Sequence, residues 1–207
     1  MKSAAAMNPV FKNFLHQFTS FTPGELDRIN SCFRDLYIAK DKHLVREGQY
    51  CRHLAFIVKG LLRVYYWDRG KVVTRYLGME PSFITSLSSF ISQVPANENI
   101  EALEDAHLLI LSYEDMQELC KEYHAWETLY RKVLEFMFMC TEERIRGFIT
   151  KTAEQRYQVL CDERPSLIQR VPQKYIASYI GVAPQSLSRL QKTAYEKMKL
   201  ANVSNRQ

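Results

Sequence analysis

The segment 173–190 constrains the fold most strongly, because its small and apolar residues have the spacing that two short helices need to cross over a shared core. Ala177 is small enough for the point of crossing. Gly181 tolerates the positive φ that ends a first helix, and Pro184 suits the first turn of a second helix. The segment predicts a helix-turn-helix motif, with an ordinary helical hairpin as the alternative. The apolar anchors on the two sides of the turn are Ile176, Ile180, Val182, Leu187 and Leu190.

The predicted second helix exposes polar side chains of the kind that read DNA. Arg and Gln side chains form paired hydrogen bonds with guanine and adenine edges in the major groove. Contacts with phosphates at the start of the first helix would fix the position of the motif on the duplex. For Arg189, the expected base contact, the alternative is a solvated or phosphate-bound side chain. We expect DNA contacts from Gln173, Lys174, Gln185, Ser186, Ser188, Arg189 and Lys192.

The charge of the chain is divided unevenly. Residues 1–150 hold 18 Lys and Arg against 19 Asp and Glu, whereas residues 151–207 hold 10 against 4. The whole positive net charge therefore comes from the last quarter, which contains the predicted motif. This division favours a module that binds a polyanion such as DNA, with a merely solubilising basic tail as the alternative.

The part of the chain before this module has two patterns. Residues 9–36 are predicted to form short helices, one of which opens at the capping sequence Thr22-Pro23-Gly24-Glu25. Between residues 39 and 111, strand-like stretches end at turn residues, and a hairpin is predicted around Asp68-Arg69-Gly70. Several short strands separated by turns predict an antiparallel barrel or roll.

A long helical stretch follows from Ser112 to about Lys151, with a break near His124. Apolar residues recur in it at intervals of three and four, in a stripe that is wider and more aromatic than a solvent-facing helix carries. We expect this stripe to pack against a second copy of the chain, with packing on its own domain as the alternative. Its residues are Trp126, Leu129, Tyr130, Val133, Phe136, Met137 and Cys140.

Several classes of protein are disfavoured by composition. The five cysteines are widely spaced, so neither a disulfide framework nor a metal site is predicted. The five histidines are scattered without a nucleophile motif or phosphate loop, so no enzymatic activity is expected. No apolar run approaches the roughly 18–20 residues of a membrane helix, and no secretory signal is recognisable. We therefore expect a cytoplasmic protein with no membrane partner.

The chain resembles the cyclic-AMP receptor/fumarate-nitrate regulator (Crp/Fnr) family of bacterial transcription factors. The resemblance rests on the Glu47-Gly48 turn, the strand end at 57–60, the strand-to-helix junction at 110–112 and the motif ending in Ser188-Arg189-Leu190. The sequence of residues 171–179 is similar to that of the Bacteroidetes branch of the family.

This resemblance implies an α+β fold in three parts. They are an N-terminal cyclic-nucleotide-binding-like antiparallel β-roll at 1–120, a long dimerisation helix at 121–151 and a C-terminal helix-turn-helix domain at 152–207. It also implies a homodimer that binds a palindromic double-stranded DNA operator and regulates transcription, with RNA polymerase as a further partner.

The residues that hold cyclic AMP in this family are missing. The Gly-Glu pair of cyclic-AMP binders falls on Thr85 and Ser86, and their Arg-Ser pair falls on Ala96 and Asn97. Ser86 offers no carboxylate to a ribose, and Ala96 cannot neutralise a phosphate. We therefore expect no control by cyclic AMP and predict no definite cofactor. Another small effector in the roll, or none, remains open.

Two arginines on neighbouring predicted strands, Arg63 and Arg75, are candidates for binding an anionic effector, with exposed strand arginines as the alternative. At the end of the chain, residues 192–200 still have a helical pattern and the tail is short and polar. A full β-hairpin wing is therefore expected to be missing. A second possible function follows from these departures, namely a ligand-sensing or protein-interaction module whose helix-turn-helix no longer reads DNA.

Overall fold

The computed structural model describes residues 6–192, and its N-terminal part is a β-roll. Two four-stranded antiparallel sheets form the roll, one in the order β1-β8-β3-β6 and the other in the order β2-β7-β4-β5. The predicted roll is therefore confirmed, as is the hairpin of β4 and β5, which closes at the pair Asp68 and Lys71. The strands are β1 Arg34–Ile38, β2 His43–Val45, β3 His53–Lys59, β4 Leu61–Asp68, β5 Lys71–Met79, β6 Ser82–Ile84, β7 Asn99–Ala102 and β8 Ala106–Ser112.

Helices precede, interrupt and follow the roll. Thr22 and Glu25 form the capping box of the second helix, Ser112 caps the fourth, and the predicted break near His124 is confirmed at Tyr123. The helices are α1 Pro9–His16, α2 Pro23–Cys32, α3 Leu87–Ser92, α4 Tyr113–Glu122, α5 His124–Thr150, α6 Ala153–Glu163, α7 Pro165–Arg170 and α8 Gln173–Ile180. Residues 184–192 are also helical, up to the last described residue.

The sequence-based boundary between helices and strands was placed too late. Residues 34–36, which were assigned to the helical segment, belong to β1, and that strand pairs with β8 from Arg34↔Ile110 to Ile38↔Ala106. The partner is more than 60 residues away along the chain. Because strand pairing depends on such distant neighbours, the local pattern of this segment is a weak guide.

The main core fills the roll and joins it to the N-terminal helices. Phe11 and Phe14 of α1 stack on Phe56 of β3 and on Phe83 of β6, with ring centroids 4.9 to 6.4 Å apart. Tilted and edge-to-face ring pairs of this kind stabilise packing beyond the burial of apolar area. The helix α1 is therefore fixed on the sheet that contains β3.

A second core lies between the other sheet and the C-terminal helices. Leu61 and Leu77, from β4 and β5, belong to this core, as does Leu103. The C-terminal residues Leu167, Ile176 and Ile180 pack with them. Neighbouring residues of β4 such as Leu62 and Val64 belong to the main core, because successive side chains of a strand point to opposite faces. The C-terminal helices therefore cover the outer face of the sheet β2-β7-β4-β5.

The long helix α5 packs on its own chain along its first turns. Trp126, Leu129 and Val133 are buried in the main core, with Tyr130 and Met137 partly buried against it. The assignment of Trp126, Leu129 and Val133 to a dimer face is therefore corrected. The repeat of three and four residues identifies a buried stripe but does not reveal which partner covers it.

Candidate nucleic-acid interface

The segment 173–190 forms two helices that share a small core. The first, α8, ends at Gly181, whose φ of 75° places it in the left-handed region, and the Val182 N–H donates to the Ala177 carbonyl. This left-handed glycine and the small crossing residue were both predicted from the sequence. Ile176, Ala177, Ile180 and Leu187 are buried, and Val182 and Leu190 pack against them.

The second helix, residues 184–192, presents a polar surface opposite its buried residue Leu187. All five residues expected to contact DNA from this helix are exposed: Gln185, Ser186, Ser188, Arg189 and Lys192. Gln173 and Lys174, at the start of α8, are exposed as well. Gln173 accepts a hydrogen bond of 2.7 Å from Gln191. This bond links the start of α8 to the end of the described second helix. The predicted absence of a wing concerns residues beyond 192 and lies outside the described part of the chain.

The turn between these helices rests on the end of α5. A Cβ atom at Gly181 would lie 2.7 Å from Cε1 of Phe148. The Phe148 ring is itself held between the guanidinium groups of Arg144 and Arg156, 4.9 and 4.7 Å from its centroid. Arg156 also donates to the Ile180 carbonyl at 3.0 Å. The position of the turn is therefore tied to the long helix.

Helix α8 is also bonded to the strand β5. The Ser178 hydroxyl donates to the Val72 carbonyl at 3.1 Å and accepts from the Thr74 N–H at 2.9 Å. Arg144 donates to the Tyr179 carbonyl at 2.8 Å, and burial lowers the pKa of its guanidinium. Backbone groups of the strand are thus satisfied by side chains of the C-terminal helices.

An ion-pair cluster joins the end of α7 to the roll. Arg170, at the end of α7, donates to Glu104 at 3.0 and 2.6 Å and to Glu80 at 2.9 and 3.1 Å. The hydrogen bonds from Arg170 lower the pKa of Glu104, and the two carboxylates raise the pKa of Arg170. Charge-assisted, bidentate bonds of this kind fix the geometry of both partners. These bonds hold the end of α7 against the roll.

The two arginine candidates for an effector site lie in different surroundings. Arg63 is buried, with only 4% of its surface exposed, and its Nη2 lies 2.6 Å from Glu101. This corrects the view of Arg63 as an exposed strand arginine. Arg75 is exposed and donates to the buried Glu98 at 2.6 and 3.0 Å. Glu101 was not predicted as the partner of Arg63; the alternation of side chains along β4, with Leu62 on the inner face, is the signal that could have placed Arg63 on the outer face.

The four positions of the expected cyclic-nucleotide loop differ in their surroundings. Thr85 donates to the His53 carbonyl at 3.0 Å, and Ser86 is fully buried at the start of α3. Ala96 is buried and its backbone pairs with residues 48 and 49, whereas Asn97 is exposed. None of these side chains carries a charge that could bind a cyclic phosphate.

The second half of α5 carries exposed apolar side chains. Phe136 is 62% exposed and Met139 is 68% exposed. Of the residues predicted for a dimer face, Phe136 and Cys140 lie on this exposed part. Apolar patches of this kind commonly mark protein interfaces. The exposed large apolar residues of the helix are Phe136, Phe138, Met139, Ile145, Phe148 and Ile149.

Comparison with known proteins shows which proteins have a similar architecture. Residues 36–123 match the family model of the cyclic nucleotide-binding domain. Among solved structures, the chain is similar to a protein described as a transcriptional regulator of the Crp/Fnr family from Eubacterium rectale, at a TM-score of 0.68 and 16% identity over 92% of this chain and 88% of that one. The chain has the Crp/Fnr fold.

Two further structures with the Crp/Fnr fold cover most of both chains. A CooA mutant from Carboxydothermus hydrogenoformans has a TM-score of 0.66 and 18% identity, over 93% of this chain and 86% of that one. CLP from Xanthomonas campestris, described as a c-di-GMP-responsive global regulator, has a TM-score of 0.66 and 13% identity, over 85% and 93%. No curated protein sequence matches the chain.

Two other properties of the described residues bear on function. Within residues 6–192, no helix is long and apolar enough to cross a membrane. The same part of the chain holds no group of three or more His, Cys, Asp or Glu side chains positioned to bind a metal ion.

Proposed function

We propose that the protein is a transcription regulator of the Crp/Fnr family that binds a DNA operator in a sequence-specific manner. The single observation that carries this proposal is the exposed polar face of helix 184–192, set on a buried core at a turn like that of DNA-binding motifs. Gln185 and Arg189 are the residues to which we assign base contacts, because both side chains can bond a base edge bidentately.

We propose further that the protein acts as a homodimer through the second half of α5. The exposed residues Phe136, Phe138 and Met139 provide an apolar surface on a helix that is already fixed to the roll by Trp126. A two-fold pair of C-terminal domains would present two recognition helices to successive major grooves, about 34 Å apart. The operator is then a palindrome.

The roll acts as a sensor that does not respond to cyclic AMP. The loop that would hold the cyclic phosphate supplies Ala96 in place of an arginine, and Ser86 in place of a glutamate. A buried hydrogen bond to a charged group contributes about 1.5–3 kcal/mol, so the loss of both groups removes most of the affinity. Regulation without an enzymatic step fits the absence of nucleophile motifs in the sequence.

The proposal is tested by selecting DNA from a random pool with the purified full chain at near-physiological salt. The wild type should recover a palindrome with half-sites one helical turn apart. Arg189→Ala and Gln185→Ala should lose or relax the preference at one position of each half-site, with a cost of about 1–3 kcal/mol per base pair. Lys12→Ala removes one exposed positive charge far from the motif and serves as the control, which should keep the wild-type preference.

Failure has a defined meaning in this experiment. If the wild type recovers no sequence with or without added ligands, the proposed function fails. The second possible function then holds, namely a ligand-sensing or protein-interaction module that does not read DNA. If Arg189→Ala and Lys12→Ala select the same sequence as the wild type, helix 184–192 is not the recognition helix. A preference that is independent of salt would also contradict phosphate neutralisation by the basic domain.

A further inference from the structure

The outer face of the sheet β2-β7-β4-β5 carries a buried polar cluster beneath α8. Arg63 and Glu101 are cross-strand neighbours, and Glu101 pairs in turn with His43 on β2. The His43 Nε2 atom lies 2.9 Å from the Tyr65 hydroxyl. The Arg63 guanidinium is sandwiched between two rings, 4.1 Å from the centroid of Tyr65 and 3.7 Å from that of Tyr175 on α8. The cluster is therefore built from both domains.

Polar side-chain atoms in this cluster are left without partners. Among the described residues, five buried side-chain polar atoms make no hydrogen bond, and four of them belong to this face of the sheet: His43 Nδ1, Arg63 Nη1, Thr74 Oγ1 and Asn99 Nδ2. Arg63 is more than nine-tenths buried. A buried donor without a partner destabilises a fold. The unpaired Nη1 of Arg63 therefore points to an acceptor that binds beside it.

A cavity of about 290 Å³ opens beside Arg63, between the sheet and α8. Its walls are formed by Arg63 and Val72 from the roll and by Lys174, Tyr175 and Ser178 from α8. The Lys174 ammonium lies 4.6 Å from the centroid of the Tyr175 ring. Lys174 makes no ion pair with any carboxylate among residues 6–192. The cavity therefore has one cation on each domain.

The charge around the cavity favours an anion. Arg63 and Lys174 carry positive charge, and Arg46 lies near enough to lower the pKa of His43 further, after the larger effect of burial. Glu101 is the one carboxylate bonded in this cluster among the described residues. Arg63 and Lys174 against Glu101 therefore leave one positive charge in excess beside the cavity. Neutral imidazole at His43 adds no charge near pH 7.

We propose that this cavity binds a small phosphate monoester, whose phosphate group is held by Arg63 and Lys174. A guanidinium held flat between two rings is already oriented to bond two oxygens of a phosphate. Because the ligand contacts the roll through Arg63 and the DNA-binding domain through Lys174, its binding stabilises the docked arrangement of the two. This second effect rests on the proposed function, whereas binding of the phosphate does not.

Binding is tested by calorimetric titration of the full chain with ribose 5-phosphate, inorganic phosphate and ribose, at constant ionic strength. The two phosphates should bind and ribose should not. Lys174→Gln should weaken binding by roughly tenfold, the factor that corresponds to about 1.4 kcal/mol. Lys12→Gln, which removes one exposed charge on α1 outside the cavity, should bind as the wild type does. Arg63→Lys, which keeps a cation beside Glu101 but lacks the planar fork, should also weaken binding.

Two results would overturn the proposal. One is the absence of binding for both phosphates at concentrations up to about 10 mM. A site with a Kd of about 1 mM, which corresponds to about 4 kcal/mol of binding free energy, would be mostly occupied at that concentration. The other is equal binding by Lys174→Gln and Lys12→Gln, which would show an adventitious ion only. If Lys174→Gln weakens DNA binding while no phosphate ester binds the free protein, the cavity takes a phosphate of DNA and the small-molecule proposal falls.

The regulatory effect is measured separately, by titrating the selected operator in the presence and absence of ribose 5-phosphate. The ester should change the affinity for the operator by the same factor in the wild type and in Lys12→Gln, and an unchanged affinity in the wild type would overturn the regulatory effect. If the chain binds the ester but no DNA, the site stands and the proposed function fails. If the chain binds DNA but neither phosphate, the proposed function stands and the site fails.

Discussion

The contact between Gly181 and Phe148 leads to a quantitative prediction for the substitution Gly181→Ala. An L-residue at a φ of 75° adopts the left-handed conformation, which costs about 1–2 kcal/mol. The new Cβ would also lie 2.7 Å from Cε1 of Phe148, so the ring must move. Forcing an extra carbon into a packed contact costs about 1–3 kcal/mol. The expected loss in the free energy of unfolding is therefore about 2–5 kcal/mol.

A matched control separates these two contributions. Gly70, at the tip of the β4–β5 hairpin, has a φ of 77°, but no atom lies within 4 Å of an added Cβ. Gly70→Ala should therefore cost only the conformational part, about 1–2 kcal/mol. Urea unfolding followed by both circular dichroism and tryptophan fluorescence measures the two losses. Gly181→Ala should exceed Gly70→Ala by about 1–3 kcal/mol.

A double substitution tests the origin of that excess. If Phe148 causes it, Gly181→Ala in a Phe148→Ala background should cost no more than Gly70→Ala does in the wild type. Equal losses for Gly181→Ala and Gly70→Ala in the wild-type background would refute the reasoning. In that case the ring of Phe148 yields freely, and the turn is not tied to the long helix.

Three further predictions concern the domain contact, the dimer and the second core. Because Arg170 lowers the pKa of Glu104, its stabilising bond is complete above the unfolded pKa of Glu104 and is lost as the pH falls through the lower folded value. The protection factors of the α8 amides, which are corrected for the intrinsic pH dependence of exchange, should therefore fall in acid for the wild type and be low at all pH values in Arg170→Ala. Met139→Asp should turn a dimer into a monomer in sedimentation equilibrium, whereas Tyr37→Asp, at an exposed site on β1, should not. Leu167→Ala should destabilise the C-terminal domain by about 2–5 kcal/mol, seen as a lower midpoint of thermal unfolding; an unchanged midpoint would contradict its place in the second core.

The turn at Gly181 was predictable because its requirements are local. A small residue at 177, a glycine four positions later and a proline after that satisfy steric rules that act within a few residues. The capped helix starts at Thr22 and Ser112 follow from the same kind of rule. These parts of the fold depend little on distant contacts.

The surroundings of Arg63 and Trp126 depend on residues far away along the chain. Alternation on β4 places Arg63 on the outer face of its sheet, but the ring that covers it belongs to Tyr175, more than 100 positions later. The stripe on α5 likewise includes Trp126, whose partner in the main core is Phe33. Periodicity assigns each of these side chains to a face of its strand or helix. The partner that covers the face is decided by tertiary packing.

The bonds from Ser178 to β5 have a consequence for solubility. Among the described strands, β5 lies at the edge of its sheet, and an uncovered strand edge is a template for pairing with another chain. Helix α8 covers this edge by satisfying the Val72 carbonyl and the Thr74 N–H. Displacement of α8 from the roll would leave these groups free. The docked arrangement therefore also protects the chain from edge-to-edge aggregation between molecules.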